Sequence, residues 1–203
     1  MKYVYSGRGF KFTRPISEGK VVVADGEGAK AYPNAVIPEY QTKNAAGADF
    51  FCAEDVTIPS IWISVMEYLI AKGESLFVKL FADECDAKEK ATKKLRPTAV
   101  HTGIKAYMEE DEVLELYNRS SNPKKLGLIL SNGVGVVDAD YYESQETDGE
   151  IMFAFYNILP FNVTIKAGDR IGQGVFKKFL RPTDSSLRVK DVARLGGYGS
   201  TDK

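Results

Sequence analysis

From Pro97 to Phe176 the apolar residues come only in short runs, and most of these runs are closed by Gly, Asn, Asp or Ser. That punctuation leaves little room for a helix of ordinary length and favours strands joined by tight turns. Val113, Leu114, Leu116 and Tyr117 precede Asn118-Arg119-Ser120-Ser121, and Leu126, Leu128, Ile129 and Leu130 precede Asn132-Gly133. Ile151 to Tyr156 is rich in aromatics, Val163-Thr164-Ile165 runs into the turn Ala167-Gly168-Asp169, and Arg170 to Phe176 forms another strand. β-branched and aromatic side chains fit a half-buried pleated surface. Many short strands separated by turns predict an all-β fold, a barrel or distorted jelly-roll sandwich. Residues 1–40 add short β runs such as Val21-Val22-Val23 within a Gly-rich connection.

One interval breaks this pattern. Pro59-Ser60 supplies an N-cap, Ile61, Val65, Met66, Leu69 and Ile70 recur at helical spacing, and Gly73 follows as a stop. A helix is predicted from Ser60 to Lys72, and a second helical candidate runs from Glu74 to Leu95. Its charged stretch, Asp86 to Lys94, reads as a solvated face. Together they form a helical insertion over about 60–96, outside the β fold and a candidate surface for a protein partner. The end of the chain, from Arg194 to Lys203, carries several glycines and no apolar periodicity. The expected division is therefore a β domain over 1–182 and a flexible arm over 183–203.

Composition narrows the chemistry. A chain of 203 residues is long enough to bury a proper core. Lys+Arg 27 against Asp+Glu 28 leaves a net charge of -1, so no basic field attracts nucleic acid. No apolar run approaches membrane-spanning length, and Met1-Lys2-Tyr3-Val4-Tyr5-Ser6 lacks the apolar block of a signal peptide. Cys52 and Cys85 stand at no metal-like spacing, which suits a reducing cytosol, so the expected location is cytoplasmic. His101 is the only histidine and no Gly-x-Ser-x-Gly elbow accompanies it, which argues against a Ser-His-Asp triad and a His/Cys zinc site. Carboxylates, Arg, hydroxyls and a hard metal ion remain as the working groups.

Several stretches carry that chemistry. In Gly135-Val136-Val137-Asp138-Ala139-Asp140-Tyr141, an extended chain would set Asp138 and Asp140 on one face. Asn132-Gly133 just before it favours a hairpin turn, so the stretch reads as a hairpin presenting an acid and an aromatic ring at a pocket rim. Arg119-Ser120-Ser121 offers donors for phosphate, and Asp49 with Gln173 is suited to orient metal-bound water. The Gly-rich tail leaves backbone N–H groups, as at Gly199, open to phosphate oxygens, while Arg194, Ser200 and Thr201 add donors. Tyr198 is suited to stack on a base. The pieces together describe a site for a nucleoside polyphosphate.

Their order along the chain resembles the trimeric, all-β dUTPase family, which hydrolyses dUTP to dUMP and pyrophosphate. Ala46-Gly47-Ala48-Asp49 looks like the first of five family motifs, with Ala48 where the family usually has Tyr. Arg119-Ser120-Ser121 with Lys125 and Gly127 is similar to the second, and Gly135 to Tyr141 matches the third. Ala167 to Gln173 resembles the fourth, and Arg194 to Thr201 the fifth. The resemblance implies a jelly-roll-like β-clip fold, a homotrimer with sites shared between subunits, and Mg²⁺ as cofactor. By it, Asp138 would activate the water that attacks the α-phosphorus, and Asp49 would anchor Mg²⁺ through water with Gln173 in support. Ser120 and Ser121, with Arg119 and Arg194, would meet the phosphates, and Gly199 and Ser200 would help close the arm over them. The hairpin backbone at Gly135 and Val137, with Asn132, would pair with uracil. Tyr141 would lie beneath the deoxyribose, and Tyr198 would cover the base.

Three departures accompany the resemblance. The 60–96 insertion is long, Tyr142 to Asp148 lengthens the third motif's hairpin while leaving Asp138 in place, and Thr201-Asp202-Lys203 replaces a usual Thr-Gly ending. Two other readings compete. A dCTP deaminase or bifunctional relative would need a glutamate base where this hairpin offers Asp138, and would lack the Gly-rich tail. A regulatory protein that uses dUTP as a switch would take the insertion as its partner surface.

Overall fold

The computed structural model describes residues 6–17, 20–21, 30–78 and 95–183. Thirteen strands and one α-helix organise them: β1 (Gly9–Phe12), β2 (Ile16–Ser17), β3 (Lys20–Val21), β4 (Ala48–Phe51), β5 (Val56–Ile58), α1 (Ile61–Val78), β6 (Thr98–His101), β7 (Ile104–Tyr107), β8 (Glu112–Asn118), β9 (Leu128–Leu130), β10 (Gly135–Asp138), β11 (Met152–Asn157), β12 (Val163–Ile165) and β13 (Arg170–Lys178). A π-helical turn at Asn122–Leu126 and a 3₁₀ turn at Ala139–Tyr141 complete the set. The largest sheet has the order β10-β8-β13-β4, a second has β6-β11-β9, and β1-β7, β12-β5 and β2-β3 form two-stranded ribbons. Every strand pair is antiparallel. The expectation of an all-β, jelly-roll-like fold holds.

Alternation along the strands puts the core between the sheets. Leu114 and Leu116 of β8, Val137 of β10 and Phe50 of β4 are buried, as are Phe153 and Phe155 of β11. Phe153 meets Phe50 with ring centroids 5.5 Å apart and stacks on Phe155 at 6.2 Å. This packing dictates the glycines of β13. A Cβ on Gly172 would fall 2.0 Å from the Phe153 ring, and one on Gly174 would fall 2.6 Å from the Phe50 ring. The aromatic rings therefore lie directly on the β13 backbone.

Three local expectations are corrected. Gly73 does not stop the helix; α1 continues to Val78. A single glycine costs a helix about 1 kcal/mol, which Ser60 at the other end helps to offset by accepting a hydrogen bond from Trp62 N at 3.2 Å. The rest of the second helical candidate, over 79–94, lies outside the described residues, as do Cys85, Val22, Val23 and the arm from 184 to 203. Within α1, Trp62, Met66, Leu69 and Ile70 are all exposed. No helix among the described residues is long and apolar enough to cross a membrane.

The second correction concerns Asn132-Gly133. Gly133 does adopt the left-handed φ of 68° that such a turn needs. The strands it joins do not pair with each other, however: β9 pairs with β11, and β10 pairs with β8. The turn carries the chain from one sheet to another instead of closing a hairpin. Third, Leu126 belongs to the π-helical turn and not to a strand; that turn ends at Gly127, whose φ of 60° is left-handed.

Candidate functional site

β13 is the organising strand, because it pairs with β4 on one side and β8 on the other. Its Gln173 stands opposite Asp49 of β4 and Tyr117 of β8. Residues three apart on a regular strand point to opposite faces, but the register shifts between Arg170 and Gly172. Both Arg170 and Gln173 therefore reach Asp49. Gln173 Nε2 donates to Asp49 Oδ1 at 2.9 Å, and Arg170 Nη1 donates to Oδ2 at 3.1 Å. Arg119, just past the end of β8, brings its Nε to 3.9 Å from Asp49 Oδ1 and donates from Nη1 to the Arg170 carbonyl at 3.0 Å. Asp49 is only 2% exposed. Two guanidinium groups around one carboxylate leave a local excess of positive charge, which suits a polyphosphate.

The Arg119-Ser120-Ser121 loop is fastened by a residue that the sequence reading passed over. Asn122 is 1% exposed and donates from Nδ2 to Asn118 Oδ1 at 2.8 Å and to the Ile171 carbonyl at 2.7 Å. It ties the loop to the start of β13, next to Arg170. Ser120 is exposed, and Ser121 makes no side-chain cap to the turn that follows it. Arg170 was legible as part of a motif but not as a partner of Asp49, because the bulge that turns it inward leaves no mark in the sequence.

Asp138 ends β10. Gly135 and Val137 face the core, while Val136 and Asp138 are exposed, as the period of two demands. Asp140 does not share the strand face of Asp138, since the chain enters the 3₁₀ turn at Ala139. Tyr141, in that turn, is 6% exposed and donates to the Glu150 carbonyl at 2.8 Å. Asn132 is exposed in the turn before β10. His101 is tied into the fold nearby: its Nδ1 lies 2.8 Å from Tyr32 Oη and 3.1 Å from Glu150. The hydrogen bond to Glu150 holds its pKa above the usual imidazole value.

Register relates these two groups. Asp138 is opposite Val113 at one end of β8, and Gln173 is opposite Tyr117 at the other. Alternation places Asp138, Val136, Glu115, Tyr117, Gln173 and Asp49 on the same outward face of the four-stranded sheet. Along β8 the groups are separated by about 13 Å, and β10 lies roughly 10 Å across from β13. The sheet thus brings Asp49, Arg119, Arg170 and Gln173 together and sets Asp138 apart from them, roughly 16 Å away across one face. Arg194, Tyr198, Gly199 and Ser200 lie outside the described residues.

Comparison with known proteins identifies the family. A family profile described as dUTPase matches residues 83–201. The chain is 37% identical over 172 residues to the deoxyuridine 5'-triphosphate nucleotidohydrolase of Lactococcus lactis, covering 84% of this chain and 91% of that protein. It is 32% identical to the corresponding protein of Wolinella succinogenes, over 86% of this chain and 91% of that one. The crystal structure of dUTPase from Streptococcus mutans superposes with a TM-score of 0.57 at 30% identity, covering 87% of this chain and 99% of that one. The chain belongs to the dUTPase family, whose activity is the hydrolysis of dUTP to dUMP.

Proposed function

We propose that the two groups on the outward sheet face are the two halves of the catalytic site, and that subunits of a homotrimer bring them together. The observation that carries this reading is their separation. A carboxylate that readies water for the α-phosphorus must lie within hydrogen-bond reach of that water. Asp138 of one protomer meets this need most simply beside the Arg119, Asp49 and Gln173 cluster of another. Arg119 and Arg170 neutralise phosphate charge, Ser120 and Ser121 add donors, and the exposed Asp138 accepts a proton from the attacking water. The backbone at Gly135 and Val137, with Asn132, selects uracil, because cytosine presents a donor where uracil presents an acceptor and would leave groups unpaired. Tyr141 forms the floor beneath the deoxyribose. The arm, through Arg194, Tyr198, Gly199 and Ser200, closes over the bound nucleotide.

Mg²⁺ fits these residues in one way only. Both oxygens of Asp49 are engaged by Arg170, Gln173 and Arg119. Among the described residues no three His, Cys, Asp or Glu side chains gather as a metal site. A cation held by phosphate oxygens and water, with Asp49 reached through that water, is compatible with this donor set. Bound so, it would offset triphosphate charge, while the protein's own part is to hold Asp49 in place through Arg170 and Gln173.

Incubation with each dNTP in turn, with and without Mg²⁺, tests the reading. The expected result is dUMP and pyrophosphate from dUTP alone, with strong slowing by a chelator. Equal turnover of dCTP or dTTP would overturn the uracil selection assigned to β10, and indifference to chelation would overturn the role of Asp49.

A further inference from the structure

The segment that lengthens the chain between Tyr141 and β11 is held more firmly than a surface loop requires. Asp148 is fully buried and sits at a left-handed φ of 53°, a conformation Asp tolerates better than most residues. Its Oδ2 accepts from Arg14 N at 2.8 Å and from Lys105 Nζ at 2.9 Å, and its Oδ1 is paired with the Arg14 guanidinium. Glu143, also at a left-handed φ, lies 3.3 Å from both cations. Burial alone would push the Asp148 carboxyl up, but hydrogen bonds from Arg14 and Lys105 outweigh it and hold the group below the usual carboxylate value.

Several contacts inside the segment meet at Tyr141. Thr147 Oγ1 donates to Tyr141 Oη at 3.0 Å, and Tyr141 Oη donates to the Glu150 carbonyl at 2.8 Å. Ser144 N donates to the Tyr141 carbonyl at 3.2 Å, and Asp148 N donates to the Ser144 carbonyl at 2.8 Å. Gly149, with φ 79°, passes so close that a Cβ there would stand 2.6 Å from the Tyr141 carbonyl oxygen. Glu150 is anchored in turn by His101 and by Gly103 N at 3.1 Å. Tyr141 is thus bonded to the returning chain at Thr147 and Glu150, and that chain is fixed to β7 and to the chain after β1 through Asp148.

We infer that Asp148, locked between Arg14 and Lys105, is a positioning residue for sugar selection: it holds Tyr141 against the space that a ribose 2′-hydroxyl would need. This rests on the reading above that Tyr141 lies beneath the deoxyribose. Discrimination against one added hydroxyl depends on a wall that does not yield, and a wall hung from a single side chain would yield without its anchor. The anchor is electrostatic and buried, so losing either partner loosens it sharply.

Kinetics with dUTP and UTP on the full-length enzyme test this. Asp148→Asn and Arg14→Gln are expected to raise the kcat/KM of UTP relative to dUTP by about tenfold or more. The change should fall on the KM for UTP, with kcat for dUTP kept within about threefold. Arg14→Lys, which preserves the charge, should restore much of the selectivity. Arg14→Gln leaves Lys105 in place and decides the matter if Asp148→Asn does not fold. Tyr141→Leu serves as the reference. If Tyr141→Leu relaxes selectivity while the anchor variants do not, the inference about Asp148 fails and the sugar floor stands. If none of the three relaxes it, the floor itself is wrongly assigned and the inference falls with it.

Discussion

The role proposed for Asp138, proton acceptance from the attacking water, is a single one. The residue is exposed at the end of a strand whose preceding residues alternate in and out, and the pairing of β10 with β8 fixes where its backbone lies. Exchanging it for Asn keeps shape and removes proton acceptance. Asp138→Asn is expected to bind dUTP nearly as wild type does and to lose about 10²- to 10⁴-fold in kcat, measured by pyrophosphate release. Undiminished turnover would remove Asp138 from water activation. Asp49 differs in kind. It is buried under two arginines and a glutamine, and its use lies in where it holds those donors as much as in its own charge.

At the scale of elements, the glycines of β13 show how far sequence reasoning reaches. Arg170-Ile171-Gly172-Gln173-Gly174-Val175-Phe176 was legible as a strand from its β-branched and aromatic residues, but nothing local says that Phe153, on a different strand, presses on Gly172. Gly172→Ala would overpack a close contact of the core, with a cost of about 1–3 kcal/mol. Its expected signature is a melting temperature lower by roughly 2 °C or more in a thermal scan. An unchanged value would mean that the aromatic layer gives way easily. The same gap between local and tertiary signals explains the misread turn. Asn132-Gly133 correctly announced a left-handed turn, yet which strands flank each other is decided by core partners far along the chain. Likewise Gly73 marks a weak point in a helix, and the residues after it remained compatible with helix, so α1 runs on to Val78. Strands, motifs and the Ser60 cap could be read from sequence; the bulge at Arg170 and the Asn122 fastening could not, because both depend on contacts across the sheet.

For the whole molecule, the decisive feature is that one sheet face carries Asp138 at one end and the Asp49 cluster at the other. Subunits that share sites should complement one another. An Asp138→Asn chain and an Arg119→Ala chain, each inactive alone, are expected to recover activity when co-assembled, at roughly a quarter of the sites if subunits mix at random in a symmetric trimer. No recovery in demonstrably mixed oligomers would mean that each chain completes its own site. If subunits share sites as proposed, the enzyme also becomes a reporter of its own abundance. Below the concentration at which chains associate, a folded protomer would then be chemically idle, so specific activity should fall on dilution while spectroscopic signs of folding do not.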